Sequence, residues 1–223
     1  MAKLGIDLGT SNSAAALVYD RAPKVSEVVE PSVGPFLGNR VYPSYVAFER
    51  QGSFSTAGLD ARERYLNGSD LVVRHFKRLL GRPFDFVAAR LASGDKAFRE
   101  FEGRIEPADD GSILVRVGDA RLPVPEIASY LLRTILDDAR RETEKRGESI
   151  DAIAISLPAG IDDSQRQATI AAARMAGAEG VDIMVIEEPT AAALTRGLDG
   201  TVLVVDMGAG TTDVVFGHMS TSQ

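Results

Sequence analysis

Near the start of the chain apolar and polar or small positions alternate with a period of two, Leu4, Ile6 and Leu8 standing between Lys3, Gly5 and Asp7. This predicts a strand over Lys3–Leu8, and the run Ser13–Tyr19 predicts a second that pairs with it as a hairpin. Val25–Val29 extends the pair as a third strand. From Arg40 the texture changes. RVYPSYVAFE reads as a β segment, and DLVVRHFKRLLG reads as a helix with Val72, Val73, Phe76, Leu79 and Leu80 on one side and Gly81 past its end. Arg104–Val117 reads as a hairpin about the Asp110-Gly111 turn. Then Ile127, Leu131, Ile135 and Ala139 recur at helical spacing between Pro125 and Gly147, which predicts a long amphipathic helix. A strand over Ile150–Leu157, a helix closed by Gly177 and a strand over Val181–Ile186 follow. A short helix with Pro189 at its first position leads into a closing hairpin. Strands alternating with helices predict an α/β layer with a partly parallel sheet.

Composition narrows the function classes. The 223 residues, 44% of them hydrophobic, suffice for a sizeable core. A net charge of -7 and an isoelectric point near 5.0 argue against a nucleic-acid partner, whose phosphates call for a basic patch. The sequence has no cysteine, which excludes disulfides and thiolate zinc sites and agrees with a reducing, cytoplasmic setting. No segment approaches the roughly 20 apolar residues that span a bilayer, and MAKLGIDLG does not read as a secretory signal, so no membrane partner is expected.

One device occurs twice. GIDLGTSN (Gly5–Asn12) and VLVVDMGAGTTD (Val202–Asp213) each run from an apolar strand into an acid, a glycine turn and hydroxyls. A turn whose amides converge makes an anion site, and glycine lets the backbone approach a phosphate with no Cβ in the way. Thr10, Ser11, Thr211 and Thr212 can add hydrogen bonds. Asp7 and Asp206 repel phosphate directly but suit a hydrated magnesium ion placed beside it. The same residue types also build ordinary hairpin turns, and it is the pair that points to one ligand gripped from two sides. There is no GxxxxGK[ST] loop and no GxGxxG opening a helix. His75 and His218 are isolated, in no metal-ligand spacing. Asn67-Gly68-Ser69 reads as a turn.

These paired loops resemble the phosphate motifs of the actin-like ATPase superfamily. FKRLLGR (Phe76–Arg82), VPEIASYLLR (Val124–Arg133), SQRQAT (Ser164–Thr169) and EPTAAAL (Glu188–Leu194) are similar, in order, to the Hsp70 ATPase domain. The resemblance runs from Lys3 to about Gly217. It implies an α/β, ribonuclease H-like fold of two lobes around a nucleotide cleft, with ATP or ADP and Mg2+ as ligands. Within it, residues 1–39 and 119–198 would form the first-lobe core, 40–118 an inserted subdomain, and 199–223 the opening hairpin of the second lobe. Asp7, Gly9, Thr10, Ser11 and Asn12 match the first phosphate loop, and Asp206, Gly208, Ala209, Gly210 and Thr211 the second. Lys77 matches the lysine that positions the γ-phosphate and the attacking water, and Glu188 the acid near the magnesium and the water. Pro158 and Arg166 match positions that signal from nucleotide to the peptide-binding domain. On residue type alone, Lys77 reads rather as a solvated lysine on a helix rim and Glu188 as an acid complementing a helix dipole.

Ala209 departs from the middle glycine usual in the family, and PAGI (Pro158–Ile161) looks more like bacterial actin-like cell-shape proteins. Coupling to J-domain cochaperones is therefore in question. The expected reading is a first lobe plus a hairpin that binds ATP weakly and hydrolyses it negligibly, its parent using ATP to control peptide binding with cochaperones. Self-association through the closing hairpin is also expected, since its strand edges and apolar side chains lack cover. The alternatives are an actin-like filament protein and a non-hydrolysing partner-binding module.

Overall fold

The computed structural model describes residues 1–20, 26–32, 40–195, 199–210 and 212–219. Residues 25, 39, 198 and Thr211, on which a strand end, two expected boundaries and one site assignment fall, lie outside the described residues. A mixed sheet organises the rest. It runs in the order β12-β11-β1-β2-β3, with β1 (Ala2–Asp7), β2 (Asn12–Tyr19), β3 (Ser26–Val28), β11 (Ile150–Leu157) and β12 (Asp182–Glu187). β4 (Tyr42–Pro43) pairs with the start of β2. β1 and β2 are antiparallel, whereas β1 with β11 and β11 with β12 are parallel.

Period-two alternation sets the buried face, which carries Ala2, Leu4 and Ile6 of β1 and Ala15, Leu17 and Tyr19 of β2. Helix α3 (Val124–Glu144) contributes Ile127, Leu131, Ile135 and Ala139 to the same core, each fully buried as its spacing predicts. Its buried Asp138 accepts hydrogen bonds from the Tyr42 hydroxyl at 3.0 Å and the Ser32 amide at 3.2 Å, and pairs with Arg141. Burial, then the Asp138 charge, raises the Tyr42 phenol well above its ordinary range. Helix α4 (Asp163–Met175) packs on α3 and begins with a reciprocal cap between Asp162 and Gln165. The strand-and-helix run that follows α3 is therefore as the sequence predicts, to within two residues at each end.

Between β4 and α3 the chain builds two small antiparallel sheets. One joins β5 (Tyr45–Phe48), β6 (Phe54–Ala57) and β7 (Val72–Arg74); the other joins β8 (Ile105–Pro107), β9 (Ile113–Val117) and β10 (Ala120–Pro123). Helices α1 (Leu59–Leu66) and α2 (Phe84–Ala92), not predicted from the sequence, flank them. The expected helix over DLVVRHFKRLLG is not formed. Val72 and Val73 lie in β7, paired with Ala47 and Val46, and Phe76–Arg78 forms one 3-10 turn. Tandem β-branched residues favour the extended conformation, and His75, with φ of 51°, breaks any helix between the two parts. Phe76, Leu79 and Leu80 are nonetheless buried, so the apolar spacing marks the core but not the element.

The last elements are α5 (Glu188–Thr195) and the hairpin of β13 (Gly200–Met207) and β14 (Thr212–Met219). One face of the hairpin turns inward. The other exposes Leu203, Val205, Met207, Val214 and Phe216, each more than half accessible.

Gly81 shows how tightly the 3-10 turn seats. It has φ of +72°, and a Cβ there would come within 2.7 Å of the Gln165 nitrogen and the Ser164 carbonyl oxygen at the start of α4. Replacement Gly81→Ala should therefore destabilise the fold by about 2–4 kcal/mol, left-handed strain adding to overpacking. Urea unfolding followed by circular dichroism would show this as a lower midpoint; an unchanged midpoint would mean that α4 can shift away.

Candidate functional site

Parallel strands present their carboxyl ends on one side of a sheet, where ligands characteristically bind. Here that edge carries Asp7 at the end of β1, Ser156 near the end of β11 and Glu188 directly after β12. The Ser156 hydroxyl donates to Asp7 Oδ1 at 2.9 Å. The turn after β1 is held by small residues. The Gly9 amide donates to Ser13 Oγ at 3.2 Å, the Ser44 hydroxyl to the Gly9 carbonyl at 2.8 Å, and the Ser44 amide to the Ser11 carbonyl at 2.8 Å. Ser13 and Ser44 also share a buried hydrogen bond of 3.0 Å. A Cβ on Gly9 would strike the Asn12 carbonyl, so only glycine fits this turn.

The second glycine turn meets the first. A Cβ on Gly210 would come within 3.0 Å of Thr10 Cβ and closer still to its hydroxyl. Arg78 ties the same turn down, donating from Nη2 to the Ala209 carbonyl at 3.3 Å and from Nη1 to the Ala97 carbonyl at 2.6 Å. Thr10, Lys77 and Gly210 then line one cavity of about 270 Å³. Gly208 and Ala209 stand exposed on the turn, and Ser11 accepts the Ser44 amide through its backbone carbonyl, not its hydroxyl. Asn12 begins β2 opposite Pro43 and does not line the cavity.

Lys77 and Glu188 form an ion pair in which the side chains are only 9% and 15% exposed. Neither is the solvated surface group that its local sequence permits. Burial raises the Glu188 carboxyl above its ordinary value of 4.5, and its partner Lys77 lowers it. Asp7 and Asp206 push it up further, so both carboxylates act on Glu188. The site thus combines one lysine with three acids. Their oxygens are hard ligands, and the charge they leave uncompensated suits a dication held through water. Among the described residues no three acids or histidines stand close enough to hold a metal together.

Sequence reasoning did not single out Ser13, Ser44, Ser156, Arg78 or Asp213. Arg78 lies inside FKRLLGR and Asp213 closes the second motif; Ser44 and Ser156 carry no local signal, because their partners are distant in sequence.

A mixed sheet whose parallel strands end in acids, faced by a second glycine turn, is the arrangement of the actin-like ATPase class. Residues 3–221 match the family model described as Hsp70 protein. The proteins named Chaperone protein DnaK in two strains of Thermus thermophilus are each 38% identical over 219 residues, covering 96% of this chain and 32% of their own length. The chain belongs to the Hsp70 family. It spans about a third of the length of these relatives. None of its described helices is long and apolar enough to cross a membrane.

Replacement Lys77→Ala removes the influence that lowers the Glu188 carboxyl. The carboxyl should then titrate higher still, a shift that NMR of its side-chain carbon would detect. The sign for stability follows from the raised value: the ionised, buried carboxylate disfavours the fold above its folded pKa. That penalty fades as the pH falls from there toward 4.5. In Lys77→Ala the recovery should begin at a higher pH, and a Glu188 carboxyl that titrates unchanged would show that the ion pair is absent in solution.

Proposed function

We propose that this chain supplies the phosphate-gripping part of a nucleotide site that takes ATP or ADP with Mg2+. The contact of Thr10 with Gly210 carries the reading, because it brings the two glycine turns around one space. Gly9, Thr10, Ser11 and Asn12 would hold the phosphates from one side, and Gly208, Ala209, Gly210 and Thr211 from the other. Asp7 and Asp206 would hold magnesium through its waters, and that ion would supply charge neutralisation on the phosphate oxygens. Lys77 neutralises charge on the terminal phosphate and is itself held in place by Glu188. Glu188, with its raised carboxyl, and Asp206 orient the attacking water and take its proton.

In the whole protein, hydrolysis would control the binding of peptides, with cochaperones as further partners and the cytoplasm as the setting. Residues 1–39 and 119–198 would act as one subdomain, 40–118 as an inserted one, and 199–223 as the start of a second lobe. Pro158 and Arg166 would relay the nucleotide state; Pro158 lines the cavity, and Arg166 donates to the Val185 carbonyl at 3.3 Å, fixing α4 to β12.

Isothermal titration of the 223-residue chain with ATP tests this reading. Weak binding that needs Mg2+ is expected, with a dissociation constant on the order of 0.1–1 mM, alongside negligible hydrolysis. Lys77→Ala and Asp206→Asn should each weaken it at least about tenfold, the loss of one charged contact. Binding indifferent to Mg2+ and to both replacements would overturn the assignment.

A further inference from the structure

The 3-10 turn that carries Lys77 into the site begins at a residue under backbone strain. His75 has φ of 51°, and among the described residues it is the one position other than glycine with a positive φ. A residue with a Cβ keeps this left-handed conformation only where its surroundings hold it there, and such residues cluster at functional sites. Glycine would take the same corner without strain. What histidine adds is its ring, whose Nδ1 donates to Glu100 Oε1.

Glu100 is well placed to hold that ring. It lies on a second 3-10 turn, Arg99–Phe101, whose Phe101 is buried in the core. Its other oxygen, Oε2, accepts from Arg74 Nε at 2.9 Å, and the Arg74 guanidinium lies 4.4 Å from the centre of the Tyr65 ring on α1. Arg74 in turn is paired with Tyr45 across β7 and β5. One carboxylate therefore spans the last residue of β7 and the corner after it, and the His75 and Glu100 side chains are only 17% and 20% exposed. The same stretch receives Arg78 at the Ala97 carbonyl, so it backs the 3-10 turn at two points. The His75 carbonyl accepts from the Arg78 amide at 3.0 Å and closes the turn around Lys77, whose ammonium meets Glu188.

We propose that His75 is a positioning residue for Lys77: held by Glu100, it fixes the corner from which the lysine reaches Glu188. As a determinant of nucleotide chemistry this rests on the ATP reading above; the hold on the ion pair does not.

The test labels the nucleotide-free 223-residue chain with trace acetic anhydride and follows each lysine by mass spectrometry. A buried, ion-paired ammonium reacts slowly, because only the free amine attacks. His75→Gly keeps the left-handed corner but loses the ring. It should speed acetylation of Lys77 at least about fivefold, the scale of one hydrogen bond, and leave the exposed Lys3 and Lys145 unchanged. Glu100→Ala should do the same, and the double variant should react no faster than Glu100→Ala alone, because both act through one contact. In each variant the Glu188 carboxyl, followed by NMR in the folded chain, should titrate higher, since Lys77 lowers it; unfolding would instead carry it down toward 4.5. An unchanged Lys77 rate, additive effects in the double variant, or a Glu188 carboxyl that stays or falls would overturn the proposal. If the variants fail to fold, the His75 Nδ1 proton of the unaltered chain decides: a low-field, slowly exchanging resonance supports the contact, and its absence overturns it. Should ATP fail to bind while Lys77 responds as expected, only the ATP reading falls. Binding of ATP with Lys77 unmoved by either variant removes only this proposal.

Discussion

Two hairpin turns can grip one anion only if little more than backbone lies between them, and Gly210 meets that condition against Thr10. Each turn is fixed from behind by different means. The first is bound through Ser13 and Ser44, so β2 and the segment joining β4 to β5 jointly set the position of Gly9. The second is bound by Arg78, whose guanidinium reaches a carbonyl of the turn from the 3-10 segment. The sheet supplies the remaining constraint: its two parallel pairings bring Asp7, Ser156 and Ile186 level, so the acid, its hydroxyl partner and the end of β12 just before α5 arrive at one edge.

Charge is handled at this edge by compensation rather than by solvent. Burying one member of an ion pair without the other costs roughly 3–5 kcal/mol, which explains why Lys77 and Glu188 are found together. The pairing does not fully offset the burial of Glu188, whose carboxyl stays raised with Asp7 and Asp206 adding to the effect. A carboxyl raised in this way holds its proton to higher pH than a solvated one. The sheet edge is thus left poised for a cation, and the lysine is held where its own charge faces the cavity.

How much of this was legible beforehand depended on how local the signal was. The strands β1, β2 and β11, the helices α3 and α4 and both glycine hairpins follow from periodicity and turn residues, because each signal is complete within its own segment. Val72–Leu80 misled for a physical reason: spacing by three and four also arises when a short strand and a 3-10 turn pack successively on one core. α1 and α2 are short, and each buries only one residue fully, Ala61 and Val87, so the periodicity that betrays a core helix is weak there. The acids and glycines of the site could be read from their motifs, but the serines that fix the first turn could not. Ser44 is significant only because folding sets it against Gly9, and nothing near it in sequence says so.

The family words in the sequence prove to be contacts. FKRLLGR and SQRQAT are separated by the whole of the second small sheet and α3, yet Gly81 of the one lies directly against Ser164 and Gln165 of the other. Lys77, four residues before Gly81, pairs with Glu188 of EPTAAAL. Arg78, between them, reaches the Ala209 carbonyl of the second glycine turn. One short segment, with the left-handed residues His75 and Gly81 at its two ends, therefore touches three other motifs. Because the alanine at 209 is held through its carbonyl, its exposed methyl group leaves this contact intact, and the departure from glycine there does not by itself undo the arrangement.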